Sequence, residues 1–231
     1  MNLHDRMKAR ASKLSAVSKW YDISAAADAG VTVVRIYDEI GYWGVTADQF
    51  ARDLDAVTTD TIEVQINSPG GDVFDGIAIY NTLRTHPANV VTRVDGIAAS
   101  AASVISQAGD HRLMVEASQM MIHEAWGVAV GSADELRSFA DLIDQQSDVL
   151  ASIYASRSGG EVAKFRELMS AETWLTDQAA VDLGLADEVM TPNVEARATR
   201  PASTDTTEIL AEAFVPAGIL RDLWELEHQL P

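Results

Sequence analysis

The feature that most constrains the fold of this chain is the alternation of short β-branched runs with amphipathic helical patterns. Residues 31–36 and 61–66 carry the clustered valine, isoleucine and threonine that are typical of buried strands. The segment between them, 46–57, opens with a capping-box sequence and repeats its apolar residues at helical spacing. A strand, a helix and a strand in this order predict an α/β fold with helices packed on a mostly parallel sheet.

The same alternation continues through the centre of the chain. A turn cluster, Asn-Ser-Pro-Gly-Gly, occupies residues 67–71. The helix that begins at Ser132 is longer than a small core needs, so part of its surface is expected to pack on another subunit. The further predicted elements are a helix that stops before Pro87, a strand at 90–94, a turn at Asp95 and Gly96, a helix over the small-residue run 97–108, short strands at 113–115 and 120–123, and helices at 132–156, 161–169 and 176–183.

Length and composition favour one folded domain with two appended segments. The 231 residues fit a single α/β domain, and a hydrophobic fraction of 47% is enough to bury its core. We assign residues 1–25 to a basic N-terminal arm, 26–190 to the folded domain, and 191–231 to a linker and C-terminal docking segment. The last boundary rests on a change to proline, threonine, alanine and aspartate with little periodicity.

Charge and composition exclude several classes of function. The net charge of −18 disfavours binding to nucleic acid, which requires a basic surface. The absence of cysteine excludes disulfides, thiolate catalysis and cysteine zinc sites, and it fits a reducing, cytoplasmic compartment. No apolar run is long enough to cross a membrane, and no metal-ligand spacing or nucleotide-binding loop is present. We therefore expect no membrane association, no metal and no cofactor.

One serine and one histidine are candidates for nucleophilic catalysis. Ser100 follows a predicted strand at the start of a helix, whose positive end would stabilise an alkoxide and an oxyanion. Of the five histidines, only His123 ends an apolar strand, from which it could reach a serine at a helix start. Spacing alone leaves two alternatives open: a packing role for Ser100 and a structural role for His123.

Six ordered motifs resemble the proteolytic subunit of Clp protease. They lie at residues 67–71, 76–80, 96–100, 107–109, 121–123 and 182–187. The resemblance covers most of the predicted domain and implies the fold type of Clp proteases and crotonases: a spiral β-α superhelix with a mostly parallel sheet and a long handle helix. The more divergent sequence around Trp43 and Trp174 resembles the phage and prophage branch of the family. Members of that branch often act as head maturation proteases.

The resemblance also implies roles for individual residues. Ser100 would be the nucleophile and His123 the general base, while the backbone N–H groups of Gly71 and Ala101 would form the oxyanion hole. The third catalytic position, an aspartate in the family, falls on Glu172. A reserve candidate for that position is Asp177, and a dyad without a carboxylate is the alternative.

By the same resemblance, the protein is expected to be a serine-type endopeptidase that needs no cofactor. It would act as a homo-oligomeric ring on polypeptides, such as a capsid or scaffold protein. Three rival interpretations share the fold: a crotonase-like enzyme acting on acyl thioesters, an inactive oligomeric scaffold, and a membrane signal-peptide peptidase. The last lacks support, because the chain has no membrane segment and retains a histidine where that class uses lysine.

Overall fold

The described part of the chain, which in this computed structural model comprises residues 20–25, 30–41 and 46–191, contains both strands and helices. The strands are β1 (Tyr21–Ala25), β2 (Val31–Ile36), β3 (Thr61–Ser68), β4 (Asn89–Ala99), β5 (His111–Val115), β6 (Gln119–Ile122), β7 (Thr173–Thr176) and β8 (Glu188–Met190). The helices are α1 (Ala47–Asp55), α2 (Val73–Thr85), α3 (Ala101–Ser106), α4 (Ala133–Ser158), α5 (Val162–Ser170) and α6 (Asp177–Asp182).

The strands of this part form one 8-stranded sheet in the order β1-β2-β3-β4-β5-β8, with β6 paired to β4 and β7 paired to β6. The pairs β2–β3, β3–β4, β4–β5, β4–β6 and β5–β8 are parallel. Only β1–β2 and β6–β7 are antiparallel among these described strands. The predicted α/β architecture with a mostly parallel sheet is confirmed, whereas the spiral superhelix and the handle role of α4 stay predictions.

The sheet forks at β4, because two strands share one of its edges. Residues 91–94 of β4 pair with β5, whereas residues 97–99 pair with β6. Both pairings are parallel, so the carboxyl ends of β4 and β6 lie side by side. In parallel α/β sheets, functional side chains gather at the carboxyl ends of the strands.

The predicted turn at Asp95 and Gly96 is wrong, because β4 continues through both residues to Ala99. Gly96 leaves space for a neighbouring side chain and does not form a turn. A Cβ atom on Gly96 would lie 2.6 Å from Asn67 Oδ1. The same oxygen accepts the N–H of Ile97 at 3.2 Å, so the Asn67 side chain replaces a backbone partner where the two strands shift register.

The helix predicted over residues 97–108 is shorter than expected, since the first three residues belong to β4 and α3 begins at Ala101. Every residue of α3 is buried. A Cβ atom on Gly76 of α2 would lie only 2.9 Å from the Ala101 Cβ. The run of small residues is therefore explained by close packing of α2 on α3.

The bounds of α4 follow signals that are visible in the sequence. Ser132 Oγ accepts the N–H of Glu135 at 3.4 Å, and Glu135 Oε2 accepts the N–H of Ser132 at 2.6 Å, which completes a capping box. Gly159 follows the helix in the left-handed conformation, with φ of 73°. The long helix predicted from Ser132 is confirmed, at 26 residues.

The core includes residues from the segment assigned to the N-terminal arm. Trp20 and Tyr21 are buried and pack on Phe50 of α1, with ring centroids 5.7 Å and 5.0 Å from the Phe50 ring. The last five residues of that segment form β1. The three-part division of the chain stays a prediction, because residues 1–19 and 192–231 lie outside the described ranges.

Candidate active site

The turn between β4 and α3 holds Ser100 in a strained backbone conformation. Ser100 has φ of 54° and ψ of −126°, a region that residues other than glycine rarely occupy. Its N–H donates to the carbonyl of Met121 at 2.9 Å, so β6 fixes the turn from one side. A serine on a sharp turn from strand to helix has the geometry of a nucleophile elbow.

His123 directly follows β6 and reaches Ser100 across the fork of the sheet. Ala99 is paired with Met121 in the parallel register of β4 and β6, so the residues that follow the two strand ends are neighbours. The His123 Nε2 atom lies 2.7 Å from the Ser100 Oγ atom. The two side chains predicted as nucleophile and base are thus within hydrogen-bond distance, as direct proton transfer requires.

The surroundings of His123 favour its neutral form. Burial lowers the pKa of the imidazole below its usual value, and the negative charge of Glu172 raises it by a smaller amount. A neutral imidazole with its proton on Nδ1 can accept the hydroxyl proton of Ser100 at Nε2. The site is therefore prepared for general-base catalysis at neutral pH.

Glu172 lies near His123 without a hydrogen bond to it. β7 begins at the next residue and pairs antiparallel with β6, with Thr173 opposite Ile122, which brings Glu172 to the same end of β6 as His123. The Glu172 backbone is in the left-handed region at φ of 48°, and the residue is exposed. Within the described residues, its effect on the imidazole is electrostatic only.

Asp177, the reserve candidate, is engaged elsewhere. Its carboxylate accepts the N–H of Ala117 at 2.8 Å and the N–H of Gln178 at 2.7 Å, at the start of α6. No interaction between Asp177 and His123 is found in the described ranges. The geometry favours Glu172 over Asp177 as the carboxylate partner of the imidazole.

Two adjacent glycines precede α2, and the first of them lies against the Ser100 turn. A Cβ atom on Gly70 would be 2.7 Å from Ser100 Cβ and 3.0 Å from the Ala101 nitrogen. Gly71 has φ of 152°, and a Cβ atom there would be 2.0 Å from the Ile40 carbonyl oxygen, so only glycine fits. In the part of the chain that is described, neither the Gly71 N–H nor the Ala101 N–H has a hydrogen-bond partner. Both N–H groups are therefore free to donate to an oxyanion, and that of Ala101 belongs to the residue next to Ser100.

Two buried hydroxyl groups of α4 also support the site. Ser147 Oγ accepts the N–H of Ala125 at 3.1 Å, in the segment that follows β6. Tyr154 Oη lies 2.8 Å from Ser103 Oγ, and Ser103 Oγ donates to the carbonyl of Ser100 at 2.6 Å. The sequence signal for these residues is weak. They are polar groups on the apolar face of an amphipathic helix, and the helical pattern does not predict their partners.

The arrangement can perform nucleophilic attack on a carbonyl carbon. It combines a hydroxyl, a neutral base and two free N–H groups, which are the parts that acyl transfer requires. The described residues contain no group of three or more His, Cys, Asp or Glu placed to hold a metal ion. None of the helices described here is long and apolar enough to span a membrane.

Comparison with known proteins points to the same chemistry. Residues 32–193, more than half of the chain, match the protein family described as Clp protease. This chain belongs to the Clp protease family. Family membership supports a peptidase, that is, a hydrolase.

The Clp-family chain is similar to curated proteins named ATP-dependent Clp protease proteolytic subunit. It is 38% identical to the one from Ligilactobacillus salivarius over 140 residues, which cover 59% of this chain and 71% of the relative. It is 37% identical to the one from Bacteroides fragilis over 131 residues, which cover 56% of this chain and 63% of the relative. The chain thus spans about two thirds of the length of these relatives.

Proposed function

We propose that this protein is a serine endopeptidase of the Clp type, which hydrolyses peptide bonds through an acyl-enzyme on Ser100. The observation that carries the proposal is the 2.7 Å contact between Ser100 Oγ and His123 Nε2. The contact occurs on a strained turn, and backbone strain persists mainly where function requires it. The names of the relatives, which are proteolytic subunits, support a polypeptide substrate.

Acylation begins when His123 Nε2 takes the hydroxyl proton while Ser100 Oγ bonds to the scissile carbonyl carbon. The electron pair of the C=O bond moves to its oxygen, and the N–H groups of Gly71 and Ala101 stabilise that oxyanion. When the oxyanion collapses, the C–N bond breaks. The leaving amine then receives the proton held by His123, and an ester on Ser100 remains.

Deacylation repeats these steps with water as the nucleophile. His123 takes a proton from water as the water oxygen bonds to the acyl carbon. Collapse of the second oxyanion breaks the ester, returns the proton to Ser100 Oγ and releases a carboxylic acid product. Glu172 contributes by charge, because a nearby carboxylate stabilises the imidazolium that forms in both steps.

The rival functions do not require all the features of this site. A crotonase-like enzyme needs the two N–H groups but no serine nucleophile, so the contact between Ser100 and His123 favours the peptidase. An inactive scaffold needs neither the contact nor the strained turn. Neither rival is favoured by a specific observation in the described residues.

Labelling by a fluorophosphonate, followed by intact-mass analysis, tests the proposal. The wild-type protein is expected to gain one adduct, which Ser100→Ala and His123→Ala lose. Ser106→Ala and His111→Asn are matched controls, because Ser106 lies elsewhere on α3 and His111 lies on β5, and both should label like wild type. An unlabelled wild-type protein that is folded would contradict the proposal.

Finer aspects of the proposal rest on the resemblance of particular segments. The divergent sequence around Trp43 and Trp174 supports a phage or prophage head maturation protease that cleaves capsid or scaffold protein in the cytoplasm. The length of α4 and its exposed apolar residues support a homo-oligomeric ring. Coexpression with a phage capsid protein tests the substrate: shortening that depends on Ser100 is expected, and an unchanged capsid protein would count against it.

A further inference from the structure

We propose that Tyr154 and Ser103 form a hydroxyl relay that holds and polarises the peptide group carrying the Ala101 N–H. This inference rests on the proposed function and deepens it. Both residues would act as positioning residues, because neither touches the reacting atoms.

The relay runs from the long helix to the nucleophile turn. Tyr154 Oη on α4 lies 2.8 Å from Ser103 Oγ on α3. Ser103 Oγ lies 2.6 Å from the carbonyl oxygen of Ser100. Residues distant in the sequence thus meet at the carbonyl of the proposed nucleophile.

The direction of the two hydrogen bonds follows from proton counting. A carbonyl oxygen can only accept, so Ser103 uses its single hydroxyl proton toward Ser100. Tyr154 must then be the donor to Ser103 Oγ. Burial raises the pKa of Tyr154, so its hydroxyl stays protonated and can act as a hydrogen-bond donor.

The relay ends on the amide that contains a proposed oxyanion donor. The carbonyl of Ser100 and the N–H of Ala101 belong to the same peptide group. Hydrogen bonds polarise one another along a chain, so donation to this carbonyl makes the Ala101 N–H a stronger donor. It also adds to the backbone N–H of Ser103, which donates to the same carbonyl at 2.9 Å, in fixing the peptide plane and thus the direction of the Ala101 N–H.

Simple packing does not explain the two hydroxyl groups. Ser103 is 0% exposed and Tyr154 is 1% exposed. Alanine and phenylalanine would fill the same space without the cost of burying polar groups. What the two hydroxyl groups add beyond volume is the pair of hydrogen bonds that leads to the Ser100 carbonyl.

The experiment measures inactivation by a fluorophosphonate at several concentrations. The Ser100 oxygen bonds to phosphorus, fluoride leaves, and the hydroxyl proton passes to His123, while the P=O oxygen occupies the oxyanion site. The limiting rate constant, kinact, then reports bond formation, and KI reports prior binding. Removal of a whole oxyanion donor costs about 100-fold to 1,000-fold in rate, so the loss of polarisation alone is expected to cost about threefold to tenfold.

Tyr154→Phe is expected to lower kinact by about threefold to tenfold and to leave KI unchanged, because an oxyanion donor acts mainly on the transition state. Ser103→Ala is expected to lower kinact at least as much. The double variant should be no slower than Ser103→Ala, since the relay is already interrupted there. The pH below which kinact falls should stay unchanged, because His123 is not altered.

Two control variants separate the relay from general damage to the core. Ser106→Ala removes a buried hydroxyl of α3 that donates to the carbonyl of Ser103 rather than to that of Ser100. Tyr80→Phe makes the same chemical change on α2. Both controls should retain the wild-type kinact. Thermal unfolding of every variant checks the fold, and the isosteric Tyr154→Phe carries the test if Ser103→Ala unfolds.

Three results would overturn the inference: a wild-type kinact in Tyr154→Phe, a change confined to KI, or an equal loss in Ser106→Ala. Each of these presupposes a wild-type protein that reacts, so the proposed function would survive them. A folded wild-type protein that fails to react would overturn the proposed function and the relay together.

Discussion

His123 is the residue whose protonation state sets the pH range of the proposed reaction. Burial lowers its pKa below the usual value of about 6.5, and Glu172 partly opposes the shift. Since only the neutral imidazole can accept a proton, the rate is expected to rise with pH through this lowered pKa and to level off above it. Initial rates of peptide cleavage between about pH 4 and pH 8 measure this rise, which is the acid limb of the pH profile. A midpoint above the usual histidine pKa would contradict the assignment.

Glu172→Gln tests the electrostatic role of the carboxylate. Because Glu172 raises the pKa of His123, its neutralisation should lower that pKa further and move the acid limb to lower pH. The maximal rate should fall by about tenfold, less than for a hydrogen-bonded triad carboxylate, whose loss costs about 10,000-fold. Asp177→Asn is the control and should leave the limb in place. An upward shift in Glu172→Gln would contradict this role.

Gly71 and Gly30 form a matched pair for testing the role of the Gly71 N–H in the oxyanion hole. Both have positive φ, but only at Gly71 would a Cβ atom meet backbone, 2.0 Å from the Ile40 oxygen, whereas nothing lies within 4 Å at Gly30. Gly71→Ala should displace the N–H and reduce kcat by about 100-fold or more. Gly30→Ala should only reduce stability, by about 1 kcal/mol. Equal kcat in the two variants would remove Gly71 from the oxyanion hole.

At the scale of elements, Arg112 joins β5 to the chain before β8. Its side chain is buried and pairs with Asp187 at 2.6 Å, and it also donates to Gln107 and to the carbonyl of Gly184. Arg112→Met should lower the free energy of unfolding by about 1–3 kcal/mol, because Gln107 and the Gly184 carbonyl lose a buried donor and the partly exposed Asp187 loses its charged partner. Chemical denaturation at fixed protein concentration measures this.

The exposed pair of Arg137 and Asp134 is the control for that measurement. Arg137→Met should change the free energy of unfolding by less than about 1 kcal/mol, since exposed ion pairs contribute little. Similar losses in Arg112→Met and Arg137→Met would show that burial does not determine the contribution of these pairs.

The elements that the sequence predicts best are those with long periodic patterns or marked ends. α4 carries a capping box at Ser132 and Gly159 at its end, and both signals are local. Two of the short strands, β7 and β8, of 4 and 3 residues, escape prediction, because neither contains an apolar run like those of β5 and β6. The turn predicted at Asp95 and Gly96 is wrong, because the glycine leaves space for the side chain of the distant Asn67 and does not form a turn.

At the scale of the whole molecule, the outer surface of α4 is the candidate subunit contact. Leu142 and Val149 lie one heptad apart on this helix and are 39% and 38% exposed. Leu142→Glu should weaken a homo-oligomer, because it places a charge in an apolar contact. Light scattering after size exclusion measures the mass. Arg137→Glu, about 140° around the helix from Leu142, is the control and should keep the wild-type mass.

A wild-type protein that is monomeric at micromolar concentration would contradict the oligomer itself. A wild-type oligomer that survives Leu142→Glu would instead place the contact on another surface.

The site could be predicted from the sequence only as far as ordered motifs allow. The motifs single out Ser100 and His123, but their 2.7 Å contact depends on the fork of β4, which no local pattern encodes. The support from Tyr154 joins positions 51 residues apart, and periodicity reports only that such a residue faces the core. Side-chain partners across the sheet and between helices follow from the packed fold alone.

Cleavage of an unfolded protein in water enriched in oxygen-18 tests the central claim most directly. The wild-type protein should convert denatured casein to peptides whose new carboxyl termini carry the label, because water attacks the acyl-enzyme. Ser100→Ala, folded and of the same oligomeric mass, should release none above background. Labelled peptides produced equally by both proteins, or by neither, would contradict a peptidase whose nucleophile is Ser100.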